Sequence, residues 1–184
     1  MKPSAKLVCH EAGNSPRAST TRMSSQATLV EYYARRAKEY ERIYQKPERQ
    51  GDLRLLRKQV EGVFARLDVL EIACGTGYWT EIVANVAASA TATDINEEVL
   101  EFARAKPIRN PNIRILKADA HALPFPEAHF TGGLAVFWWS HLPKAGLRRF
   151  LGGFHRHFTA DAKVVFIDNC FVKGSSTPIS RADE

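Results

Sequence analysis

Apolar residues recur along this chain first at helical spacing and later as short unbroken runs. Leu29, Tyr33, Ala37, Tyr40 and Tyr44 fall on one helical face, which predicts a helix over Gln26–Gln45 that Pro47 ends. Gly51-Asp52 opens a second helix, with Leu53, Leu56, Val60 and Phe64 as its stripe. The period then changes. Val69-Leu70-Glu71-Ile72-Ala73 is a strand-like run that stops at glycines, and Trp79, Ile82, Val83, Val86 and Ala87 mark a helix after it. Thr91–Asp94 ends a second strand. Asn96 is positioned to cap the next helix, with Glu97 and Glu98 in its first turn and Pro107 beyond its end. Further strands are expected at Ile113–Leu116, Leu134–Phe137 and Val164–Ile167, the last read as buried on both faces. A helix with the stripe Leu147, Phe150, Leu151, Phe154 and Phe158 precedes that fifth strand.

Strands alternating with helices predict an α/β fold, a Rossmann-like parallel sheet flanked by helices. The division follows: a disordered tail over 1–25, cap helices over 26–66, the cofactor-binding core over 67–172 and a flexible tail over 173–184. In such sheets ligands lie beyond the carboxyl ends of the strands, where the strand order reverses. The residues that follow each strand are therefore the candidates for chemistry.

Composition narrows the options. No apolar run approaches the roughly 20 residues of a membrane span. Twenty-six basic and 20 acidic residues leave a formal charge of +6, which permits anion binding. The basic residues alternate with acids along helices, however, as on solvated faces, and no basic-aromatic interleaving is present, so nucleic acid is disfavoured as a partner. The three cysteines, Cys9, Cys74 and Cys170, make no disulfide framework and no metal-ligand spacing with the histidines. A reducing, cytoplasmic setting fits, no metal site is assigned, and self-association is left open. Residues 1–25 contain one acid, Glu11, yet lack the amphipathic stripe of a transit peptide.

Four strand ends carry informative residues. Gly75-Thr76-Gly77 lets the backbone turn tightly and approach a ligand, with a helix N-terminus behind it. Asp94 is placed to accept two ribose hydroxyls and has no evident structural duty. Asp119-Ala120 suits an adenine edge, and Phe137-Trp138-Trp139-Ser140-His141 closes the series. A dinucleotide loop would want a third glycine where Thr80 stands.

The stretch VLEIACGTGYWT resembles the first motif of class I S-adenosylmethionine-dependent methyltransferases. Thr93-Asp94 resembles their second motif and Ala118-Asp119-Ala120 their third. His121-Ala122-Leu123-Pro124-Phe125 is similar to the loop that follows, and Tyr32–Tyr40 to the helix that caps the cofactor in many members. The resemblance implies S-adenosylmethionine as cofactor and a small-molecule methyl acceptor. It implies that Glu71 receives the methionine amino group, that Ala73, Gly75 and Gly77 form the loop beneath the methionine and ribose, and that Asp94 holds the ribose. Ile95 would pack on adenine, Asp119 and Ala120 would address its edge, and Tyr33 and Tyr40 would close the pocket. Trp138 or Trp139 would flank the sulfonium, worth about 0.5–2 kcal/mol, and His141 is the nearest base.

Two features depart from the family pattern. Gly132-Gly133 is expected to weaken the start of the fourth strand. Family members usually continue past the fifth strand with a helix and an antiparallel strand pair, which this sequence lacks room for before Glu184. A cofactor-binding protein without activity and an NAD-dependent enzyme are the alternatives to a methyltransferase. No Asn-Pro-Pro-Tyr-like motif follows the fourth strand, which disfavours methylation of DNA or glutamine amino groups.

Overall fold

The structure is a computed structural model that describes residues 41–169. Tyr33, Tyr40, most of the first expected helix and both expected tails lie outside the described residues.

Helix α1 (Arg42–Gln45) and a 3-10 turn (Pro47–Arg49) lead into α2 (Gln50–Phe64). Leu53, Val60 and Phe64 fall on one face of α2 and are buried. Strand β1 (Asp68–Ile72), α3 (Tyr78–Ala84), β2 (Ser89–Asp94), α4 (Glu97–Arg104) and β3 (Ile113–Lys117) follow, then β4 (Phe130–Val136), α5 (Lys144–His155) and β5 (Phe158–Ile167). Asn96 caps α4 by accepting a hydrogen bond from the Glu98 amide, as its residue type predicts.

The five strands form one sheet in the order β3-β2-β1-β4-β5, every pairing parallel. No strand pairs antiparallel among the described residues. The order reverses between β1 and β4, so the crevice of such a sheet opens above these two strands. Side chains alternate along β1. Val69 packs with Phe64, Trp79, Ile82, Val83, Leu134 and Val136 on the α2/α3 face. Leu70 and Ile72 pack with Ala135, Phe130, Phe150, Phe154 and Phe158 on the other. Glu71 shares Val69's face and is 2% exposed, a carboxyl placed inside the sheet's central strand.

Three expectations are corrected. Phe158 opens β5 instead of closing the helix, because α5 stops at His155; its ring still reaches the same cluster, edge-on to Phe154 at 4.7 Å. Strand β5 is not buried on both faces. Among the described residues it pairs with β4 alone, and Val164 and Phe166 are each 38% exposed. The fourth strand begins at Phe130, earlier than the expected Leu134, so Gly132 and Gly133 lie within it, where its register with β5 shifts. A Cβ on Gly132 would meet the Phe64 ring at 3.0 Å, and one on Gly133 the Phe158 ring at 2.6 Å. The glycines therefore let one aromatic ring press onto each face of the strand.

Gly133→Ala is expected to destabilise the protein by about 1–3 kcal/mol, the usual cost of overpacking a core. A lowered urea midpoint with an unchanged slope would show it. An unchanged midpoint would mean that the Phe158 ring gives way freely.

Candidate functional site

A cavity of about 360 Å³ opens at the carboxyl ends of β1 to β4. Its lining comes from Ala73–Thr76 after β1, Asp94–Asn96 after β2, Ala118–His121 after β3 and Val136–Trp138 after β4. Tyr44, Glu71, Trp79, Val99 and His141 complete it. All four strand ends singled out from the sequence thus converge on one space.

The loop after β1 is set by backbone geometry. Ala73 has φ 50° and Gly75 φ 55°, both left-handed. Gly75 lines the cavity and a Cβ there would meet no protein atom, so the backbone borders open space. Gly77, expected to pass beneath the ligand, is not among the lining residues. It precedes α3 with φ 80°, and a Cβ on it would meet Ala103 Cβ at 2.9 Å. Its glycine is required by the close approach of α3 to α4. At the end of β4, Phe137 also takes a left-handed φ of 55°. Residues of this kind hold about 1–3 kcal/mol of strain each.

Asp94 does have a structural duty, contrary to the expectation. Its Oδ2 accepts from the Gly75 amide at 2.9 Å and its Oδ1 from the Asn96 amide at 2.9 Å. One carboxylate thereby joins the glycine loop to the start of α4. Burial raises its pKa, and the Asn96, Gly75 and Ile95 amides pull it back. Each oxygen keeps lone pairs for a ligand.

Glu71 is the more strained group. Its Oε2 accepts from Thr80 Oγ1 at 2.7 Å. No cation among the described residues pairs with it. Burial pushes its pKa up to about 8; the Thr80 bond opposes this and the charge of Asp94 adds to it. Thr80 stands where a dinucleotide loop would carry its third glycine, and its hydroxyl is committed to Glu71. Cys74 also lines the cavity, but burial, Glu71 and Asp94 push its thiol well above its ordinary pKa, so it stays protonated and unreactive.

The other predicted residues divide. Ile95 lines the cavity and is 47% exposed. Asp119 and Ala120 line it as well, Asp119 with Oδ1 accepting from the His121 amide at 2.8 Å. Trp139 does not line it. Its ring packs on Phe166 at 4.9 Å, and Trp138 supplies the wall instead. His141 lies at the exposed rim, on the 3-10 turn Trp139–His141. Partial burial lowers its pKa below 6.5, with Asp168 acting in opposition.

Sequence reasoning missed Tyr44 and Trp79. Both fall on the apolar stripes of their helices, and both also line the cavity. Tyr44 stacks on Tyr78 with ring centroids 3.7 Å apart. Glu41 holds this N-terminal segment to the glycine loop: it accepts from Thr76 Oγ1 at 2.9 Å and pairs with Lys106 at 2.8 Å.

Residues 69–161, half of the chain, match a family model described as a methyltransferase domain. The chain belongs to this family, the class I S-adenosylmethionine-dependent methyltransferases. It is 40% identical over 78 residues to a demethylmenaquinone methyltransferase of Tropheryma whipplei, covering 41% of this chain and 31% of that protein. It is 36% identical over 61 residues to a probable S-adenosylmethionine-dependent methyltransferase of Mycobacterium tuberculosis, covering 33% and 21%. The matched segments thus span less than a third of these curated relatives. Among solved structures, the DhpI–SAM–HEP complex superposes with a TM-score of 0.70 at 25% identity, covering 81% of this chain and 68% of that one.

The raised pKa of Glu71 fixes the sign of a pH effect. Its protonated form is the one the fold prefers, so the stability tied to that proton is complete below pH 4.5. It is lost as pH rises through about 8. Glu71→Gln keeps an acceptor for Thr80 and removes the ionisation. The variant is expected to gain on the wild type steadily between pH 5 and 9 in urea unfolding. A pH-independent difference would show that Glu71 is already ionised in the folded protein.

Proposed function

We propose that the chain binds S-adenosylmethionine in this cavity and transfers its methyl group to a small-molecule acceptor. The observation that carries the reading is Glu71, a buried carboxyl lining the cavity with no counter-charge among the described residues. Such a carboxyl ionises only when a positive partner arrives, and the ammonium of a bound amino acid supplies one. The neighbouring groups fit the remainder of the molecule. Asp94 offers free lone pairs to vicinal hydroxyls beside the open side of Gly75, and Asp119 with Ala120 offers a polar edge past β3, where Ile95 gives an apolar face.

The bound sulfonium supplies a methyl group already activated as an electrophile. The protein's part is placement and exclusion of water. Tyr44, Trp79, Phe137 and Trp138 wall the side of the cavity nearest β1 and β4. His141 at the rim has a lowered pKa, so it is neutral at pH 7 and able to accept a proton from an acceptor hydroxyl or amine. In-line attack on the methyl is the geometry such a reaction requires. Support for a small acceptor comes from a relative: the Tropheryma protein is named for demethylmenaquinone. A binding protein without turnover is the rival reading, and the cofactor residues alone would serve it equally well.

Calorimetry is expected to show binding of S-adenosylmethionine and S-adenosylhomocysteine and none of NAD. Asp94→Ala is expected to weaken binding by about 10-fold or more, since hydrogen bonds to a charged group contribute about 1.5–3 kcal/mol. Binding of NAD alone would overturn the reading, and cofactor affinity with no methyl transfer across a broad panel of small acceptors would favour the rival.

Once an acceptor is in hand, the pH profile tests His141. The rate is expected to fall on the acid side with a midpoint below 6.5, and His141→Ala should abolish that limb along with most of the rate. A His141→Ala enzyme with the same acid limb would remove His141 from the chemistry.

A further inference from the structure

The turn that carries His141 is held from outside. It follows Phe137, whose φ of 55° is left-handed. Such a backbone persists only where its surroundings fix it from several sides, and the end of β5 supplies them. The Phe137 amide donates to the Ile167 carbonyl at 2.7 Å. The Trp139 ring packs on Phe166 with centroids 4.9 Å apart. Asp168, just past β5, takes the next position: its Oδ2 accepts from the Ser140 amide at 2.7 Å and its Oδ1 from the Ser140 hydroxyl at 3.1 Å. The Asn169 amide donates to the same Oδ1 at 2.8 Å and fixes the carboxylate from its own side.

Ser140 is the chain neighbour of His141. His141 lines the cavity, and Asp168 does not. Hydrogen bonds to a carboxylate are the strong ones, and two from one residue set its orientation as well as its place. Asp168 also acts on the His141 ring through its charge, against the effect of burial. The other titratable groups of the cavity wall, Tyr44, Glu71, Cys74, Asp94, Asp119 and His121, come from α1 and the ends of β1 to β3, and Lys144 opens α5 just beyond the turn.

We propose that Asp168 is the positioning residue for the base: it seats the 3-10 turn so that His141 meets the methyl acceptor. This rests on His141 being that base. As the acceptor's oxygen or nitrogen bonds the methyl carbon, the carbon–sulfur bond breaks, its electron pair leaves with a neutral thioether, and the acceptor's proton passes to the imidazole. The negative charge of Asp168 favours the cation that results. A displaced turn would carry the ring out of reach.

Two variants separate charge from placement. Asp168→Asn keeps an oxygen for the Ser140 amide and an NH2 group for its hydroxyl, and removes the charge. In proton spectra the His141 ring signal, identified by its loss in His141→Ala, is expected to titrate at lower pH in Asp168→Asn than in the wild type, because the group that raised its pKa is gone. That measurement needs no acceptor. With an acceptor, the acid limb of the rate should move the same way. Asp168→Ala also releases the turn, and kcat is expected to fall about 10–100-fold with S-adenosylhomocysteine affinity unchanged. An unmoved His141 titration in Asp168→Asn, or full kcat in Asp168→Ala beside a disabled His141→Ala, would overturn the proposal alone. A His141→Ala enzyme that keeps its rate is a different result: the base itself has been misassigned, and the proposal falls with it.

Discussion

The cavity depends on one carboxylate that holds two loops together. Asp94 leaves β2 and accepts the amides of Gly75 and Asn96, at 2.9 Å each. The first belongs to the loop after β1, the second to the residue that caps α4. Without that bridge the glycine loop would carry a left-handed backbone at Ala73 and Gly75 with no tie to its neighbour strand beyond the Cys74 amide, which donates to the Thr93 carbonyl at 3.0 Å. The parallel register supplies the rest. Glu71 sits opposite Ala92 on β2 and Leu134 on β4, so the ends of three strands fall level and their following loops open on the same space.

Glycine serves three separate purposes here. Gly75 borders the open cavity, Gly77 leaves room for α4, and Gly132 and Gly133 leave room for the Phe64 and Phe158 rings. Only the first shapes the cavity directly. The second brings the N-terminus of α3 close to Ala103, and the third seats β4 tightly between its two aromatic layers.

Much of this was legible in the sequence. The alternation of periods announced the strands and helices, and the position of residues just after each strand announced the site, because a parallel sheet sends its loops to one end. What stayed hidden has a common physical origin: residues with two roles. Tyr44 and Trp79 satisfy a helical apolar stripe, and the stripe explained them fully until the cavity showed their other side. Asp94 matched a ligand-binding pattern, and nothing in the pattern revealed the two amides it also holds. Phe158 kept the helix's period although the chain had already left the helix. Gly132-Gly133 looked weak as strand because their value lies in the rings pressed against them, which no local pattern records.

The electrostatics of the loop tie stability to occupancy. Glu71 is buried, the charge of nearby Asp94 adds to its upward shift, and both carboxyls push up the Cys74 thiol. Unlike a surface carboxylate, Glu71 cannot relieve this by hydration. Its two outlets are a proton or a cation, and the cavity beside it is large enough for a cation-bearing ligand. A ligand that brings the positive charge stabilises the folded state by the usual mass-action term and also removes part of a cost the empty fold carries. A ligand without a cation leaves that cost in place, so the selectivity of the pocket and the strain within it have one source.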